Sequence, residues 1–171
     1  MLLLLLGAVL SAQTAGKVTR IVPPADAAEG SSIQWNDVLR TGPGGRIRVQ
    51  LNDGSILSLG VKSALRIVKH DERTQQTILE LNYGMVRAQV VHLARPGSSF
   101  VIRTHSGEIE SHGGDLIVDD SNPVETIVTV SSAKVTVTKK EDHKEKTSVE
   151  LTPGQWRIPL NTEPISKITP Q

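Results

Sequence analysis

Cysteine is absent from the 171 residues. That excludes a disulfide framework, thiol catalysis and zinc or iron–sulfur sites held by thiolates. Aromatic residues are scarce: Trp35, Tyr83, Phe100 and Trp156 are the whole set. A base-stacking surface needs more rings than that, so the core has to be built from Val, Ile, Leu and Ala. Neither sign of charge predominates. Lys and Arg number 19 against 18 Asp and Glu, a formal charge of +1, which argues against a strongly basic nucleic-acid binder. Catalytic signatures are missing as well. There is no Gly-x-Ser-x-Gly elbow, phosphate loop, His-Glu-x-x-His pair or dinucleotide glycine fingerprint. The sequence names no catalytic residue and no cofactor.

What is present begins with Leu2 to Ala12, an almost unbroken apolar run. As a helix it spans about 16 Å, roughly half a bilayer core. It is too short to cross, and it ends in small residues, as the apolar region of a signal peptide does. No Lys or Arg precedes it. Cleavage is expected after Ala12 or, as second choice, after Ala15. The expected organisation is a signal peptide over residues 1–15, a lead-in over 16–34, a β domain over 35–156 and a Pro-containing extended tail over 157–171. The mature chain is expected in the periplasm or outside the cell, without a transmembrane helix.

From Trp35 onward, turn residues recur every few residues to a dozen or so, as at Asn52-Asp53-Gly54, Asn82-Tyr83-Gly84 and Pro153-Gly154. Short runs of Val, Ile, Leu and Thr lie between them. That rhythm predicts an all-β fold: two packed sheets of short, mostly antiparallel strands, as a sandwich or a rolled, solenoid-like stack. One hairpin can be set in register from sequence. A two-residue loop would turn the rows Ile47/Val49/Leu51 and Leu57/Leu59 to opposite faces. A three-residue loop, Asn52-Asp53-Gly54, pairs Val49 with Leu57 and Ile47 with Leu59, and both rows then share a face. Gly54 supplies the left-handed residue such a loop needs. Trp35 to Arg40 could form one helical turn. Lys69 to Gln76 and Lys139 to Lys146 read as solvated loops.

Thr41-Gly42-Pro43-Gly44-Gly45-Arg46 and Leu51-Asn52-Asp53-Gly54-Ser55 together resemble the opening of the FecR domain family. Leu81-Asn82-Tyr83-Gly84-Met85-Val86-Arg87, Phe100-Val101-Ile102-Arg103-Thr104, the Val128 to Val137 hairpin and Leu151-Thr152-Pro153-Gly154-Gln155 follow in family order. The resemblance covers roughly Trp35 to Trp156. It implies an exported, non-enzymatic binding module for envelope sensing, acting through a protein partner. The alternative is a structural or carbohydrate-binding envelope protein. The anti-sigma segment and membrane helix of regulatory relatives are not matched, so anti-sigma activity is not carried over.

One stretch departs from the family. Glu108, Glu110 and His112 would share a strand face, with His105 and Asp115 flanking. Oxygen and imidazole ligands of this kind suit a divalent metal, and a metal-dependent hydrolase would be built there. Carboxylates without partners are costly to bury, so the stretch is read as an exposed edge that holds no metal. His70-Asp71-Glu72 reads as a solvated loop, and His92 and His143 as surface residues. Asp53 reads as a turn cap. Arg46, Arg48, Arg66, Arg87 and Arg103 fall on outward positions. On neighbouring strands they would form one basic stripe for an acidic partner.

Overall fold

The computed structural model describes residues 13–139 and 148–169. The apolar run of residues 2–12 lies outside them, as do residues 140–147 with His143. Sixteen strands and no helix form among the described residues. In chain order they are β1 (Thr14–Val22), β2 (Ser32–Gln34), β3 (Val38–Thr41), β4 (Arg46–Leu51), β5 (Ile56–Leu59), β6 (Ser63–Asp71), β7 (Gln76–Tyr83) and β8 (Met85–Val90). Then follow β9 (Ser99–Arg103), β10 (Gly107–Ser111), β11 (Gly114–Asn122), β12 (Glu125–Val130), β13 (Val135–Lys139), β14 (Ser148–Leu151), β15 (Gly154–Pro159) and β16 (Ser166–Ile168).

They make two sheets. The nine-stranded sheet runs β16-β15-β12-β11-β8-β5-β4-β1-β2, and the seven-stranded sheet runs β14-β13-β10-β9-β7-β6-β3. The chain passes from one sheet to the other after every strand or hairpin. Period-two alternation drives this arrangement. β4 reads exposed-buried three times over, and β12 and β13 repeat the pattern. Each sheet therefore has one apolar face, and the two faces pack together. Val, Ile, Leu and Ala fill the core, with Phe100 the one aromatic ring fully inside. Pairing is antiparallel except where β9 lies parallel to β7.

The β4–β5 hairpin has the register expected from sequence, Ile47 opposite Leu59 and Val49 opposite Leu57. Gly54 has φ of 90°, and the Asp53 carboxylate accepts from the Ser55 N–H at 2.8 Å, capping the turn. Other readings need correction. Trp35 to Arg40 forms no helical turn: Asn36 sits at φ 68° and the chain enters β3 at Val38. The polar loop placed at Lys69 to Gln76 shrinks to residues 72–75, because β6 and β7 pair out to Asp71 and Gln76. Residues 14–34 supply β1 and β2, and β1 pairs along the whole of β4. Past Arg157 the chain still pairs, with β16 on the edge of the nine-stranded sheet.

Candidate functional site

In β11, Leu116, Val118 and Asp120 share inward parity, so the alternation that buries two apolar side chains also buries a carboxylate. Asp120 is 5% exposed. A buried carboxylate needs donors, and the turn between β9 and β10 brings them. His105 Nδ1 lies 2.6 Å from Oδ1, and the Thr126 hydroxyl of β12 donates to the same oxygen at 2.5 Å. The His105 backbone N–H points at Oδ2 from 3.4 Å. With its Nδ1 proton directed at Asp120, the ring turns Nε2 toward the Ser106 hydroxyl at 3.2 Å. Thr104 closes the turn, donating to the Gly107 carbonyl and accepting from its N–H.

The connectivity is that of a Ser-His-Asp triad, and the chemistry is not. Ser106 is 0% exposed, so no acyl group reaches its oxygen, and a nucleophile must be reachable. The chain of bonds instead fastens the turn to β11 and β12 across the two sheets. Beside it opens a concavity of about 540 Å³, bordered by Glu80, Arg103, His105, Glu108 and Lys139. Its charged groups are already engaged. Arg103 Nε meets Glu108 at 2.9 Å, and Glu80 lies 3.8 Å from Arg66. Lys139 is 4% exposed, and its Nζ donates to the carbonyls of Asn161 and Glu163. Lys139 thus belongs to the interior and not to the solvated run assigned from sequence.

The stretch from Glu108 to Asp115 is not an exposed edge. β10 lies inside its sheet between β9 and β13, and Ile109 is fully buried. Glu108 and Glu110 occupy its outer face, partly exposed. Each acid is spoken for: Glu108 by Arg103, Glu110 by His112 at 3.5 Å, and Asp115 by a two-pronged contact from Arg87 at 2.9 and 2.5 Å. His105 turns away to Asp120. No group of three or more potential ligands converges among the described residues.

His70 is the second correction. It is 3% exposed, not in a solvated loop. A register shift between Ile67 and Lys69 reverses the parity of β6, so His70 faces inward. Its Nδ1 lies 2.9 Å from the Thr77 hydroxyl, and its Nε2 has no partner among the described residues. Burial lowers its pKa, against the opposing pull of the Asp53, Glu72 and Asp71 carboxylates. Asp71 caps the following turn, and Glu72 and His92 are exposed.

The five outward arginines do not form one stripe. Arg46, Arg48 and Arg87 lie on the nine-stranded sheet, whereas Arg66 and Arg103 lie on the seven-stranded one. The two outer faces point away from each other. Sequence reasoning missed Arg20, which stands in β1 directly opposite Arg48. Arg20, Arg46 and Arg48 border a hollow of about 290 Å³ that lies over the β4–β5 ladder at Ile47, Ser58 and Leu59.

Comparison with known proteins follows the same lines. The FecR protein family matches residues 37–136. Two crystal structures of a candidate anti-sigma factor from Parabacteroides distasonis ATCC 8503 share the fold, each with a TM-score of 0.64. One, at 2.50 Å resolution, is 21% identical and the other, at 1.65 Å, 20% identical; each alignment covers 77% of this chain and 59% of theirs. No curated protein matches the chain significantly.

Proposed function

The chain belongs to the FecR family, and from that premise we propose that it is an exported, non-enzymatic envelope module that signals by binding a protein. The observation that carries the reading is how the reactive side chains are used. The Ser106–His105–Asp120 chain is a buried clamp, and Glu108 of β10 and Asp115 of β11 are held in ion pairs by arginines. What remains for function is the pair of broad outer faces, which suit recognition more than reaction. Sugar binding by ring stacking finds little support: Trp35 and Trp156 pack against the core, and Tyr83 is the half-exposed ring at 48%. The description of the Parabacteroides protein as a candidate anti-sigma factor points to a regulatory relay, in which the present chain takes the sensing part.

Export fits the position of β1. That strand starts at Thr14, Ala15 is fully buried, and the Thr14 carbonyl accepts from Asn52 at 2.8 Å. Cleavage after Ala12 leaves this strand whole, whereas cleavage after Ala15 removes two of its residues. N-terminal sequencing from the host should therefore begin at Gln13, and an intact Met1 on cytosolic protein would overturn the export claim. For signalling, the gene is deleted in a strain carrying a reporter of extracytoplasmic sigma-factor activity. A changed response to envelope stress supports the reading; an unchanged response in every condition that induces the gene defeats it.

A further inference from the structure

Eight arginines stand within the described strands. Arg40, Arg66, Arg87, Arg103 and Arg157 each have a carboxylate partner. Arg20, Arg46 and Arg48 have none among the described residues, and these three are neighbours. Arg20 faces Arg48 across the β1–β4 ladder, and Arg46 faces Val22 two residues along. Like charges directly opposite one another oppose strand pairing. The sheet therefore tolerates a repulsion that an incoming anion would relieve.

The hollow between them adds shape. Its volume of about 290 Å³ suits a side chain, not a polymer strand, and its floor is the β4–β5 ladder at Ile47, Ser58 and Leu59, whose two apolar side chains point inward. Val22, 41% exposed, stands at its rim. Guanidinium forks match carboxylate oxygens two at a time. Along β1 the unpaired charge extends one residue further, to exposed Lys17 opposite Gln50, but it does not continue over the strands beyond β4. The next arginine, on β8, is already held by Asp115 in two contacts. A polyanion would need the charge to run on, whereas a short acidic segment needs only this cluster. We propose that the hollow bordered by Arg20, Arg46 and Arg48 is the docking point for a carboxylate-bearing segment of the partner protein. The inference rests on the protein-binding reading and names its surface.

The probe is a short labelled peptide alternating Glu and Val, titrated onto the purified full chain at low salt. A Gln-for-Glu peptide and inorganic polyphosphate serve as comparisons. The acidic peptide should bind, and the triple variant Arg20→Gln, Arg46→Gln, Arg48→Gln should weaken it at least about tenfold. The pair Arg66→Gln, Arg103→Gln on the opposite face should leave binding unchanged. The triple variant should melt no lower than wild type, since it removes a like-charge repulsion; should it fail to fold, Arg48→Gln alone must still weaken binding. Equal binding by wild type and variant, equal binding of the Gln peptide, or polyphosphate binding more tightly and displacing the acidic peptide overturns the proposal. In the reporter strain the two claims separate. Full complementation by the triple variant removes this docking point and leaves signalling intact, while a reporter blind to the deletion removes the signalling reading instead.

Discussion

Asp120→Ala tests whether the buried cluster is a clamp. The substitution removes one carboxylate shared by the Thr126 hydroxyl at 2.5 Å, His105 Nδ1 at 2.6 Å and the His105 N–H at 3.4 Å. Thr126 is wholly buried, so its hydroxyl must rely on Thr104, 3.3 Å away, or stay unpaired. An unsatisfied buried donor costs about 1–3 kcal/mol. The His105 side chain is 29% exposed and recovers part of its loss from water. Together these place the cost near about 3–4 kcal/mol, the low end of the range for breaking a buried pair. Against a domain stability of about 5–15 kcal/mol that is a large fraction, and it should lower Tm by roughly 6–16 °C. Thr126→Val should cost about 1–2 kcal/mol, because the carboxylate keeps His105. The double variant should cost less than the two changes added, since both break one bond. The assay is urea unfolding of all four proteins. A loss below about 1 kcal/mol for Asp120→Ala, or strict additivity, would refute the clamp.

Acid should weaken the fold through His70. Its pKa is lowered by burial, so between that value and the ordinary one near 6.5 the unfolded chain holds the extra proton; stability rises with pH through this window and is lost as pH falls below about 6.5. Urea midpoints at pH 7.5 and 5.5 should therefore differ more in wild type than in His70→Gln, and an identical difference would remove His70 as the cause. Two glycines separate backbone strain from collision. Gly54→Ala meets only Val91 Cγ1 at 3.6 Å and should cost about 1–2 kcal/mol for its left-handed φ. Gly84→Ala carries the same strain and also places a Cβ 2.5 Å from Ser63 Cα, so equal losses in the two variants would contradict the packing seen there. Replacing Glu108 and Glu110 by Val should leave stability unchanged or raised, because exposed pairs contribute about 1 kcal/mol at most; a larger drop in the urea midpoint would give those acids a structural role.

The parts legible in the sequence were those governed by local alternation and turn chemistry. The β4–β5 register followed from counting parity through Asn52-Asp53-Gly54, because a slip of one residue would have exposed Ile47, Val49 and Leu51 together. The same counting carried two residues past Val118 reaches Asp120 at an inward position, and a carboxylate there signals a buried cluster. What parity does not contain is which strands become neighbours. Glu108 and Glu110 were correctly placed on one face. The flanking of β10 by β9 and β13 depends on pairings that its own residues do not encode, and so an interior strand was mistaken for an edge.

Irregular pairing explains much of the remainder, and it falls where the chemistry is. A bulge adds a residue and reverses inward and outward from that point on. In β6 the shift between Ile67 and Lys69 turns His70 into the core, where uninterrupted alternation from Leu65 and Ile67 would have left it in solvent. In β1 the shift between Val18 and Arg20 sets Arg20 opposite Arg48. Without the extra residue, a strand aligned by Val18 and Val49 would pair Thr19 with Arg48 and carry Arg20 one step on, to Ile47. The two bulges thus place the two groups least expected from sequence: a buried imidazole whose proton affinity is lowered, and a third guanidinium that completes an unpaired cluster. A strand without a bulge repeats one pattern on each face. A binding surface needs a local exception to that pattern, and in this fold an extra residue in β1 supplies it.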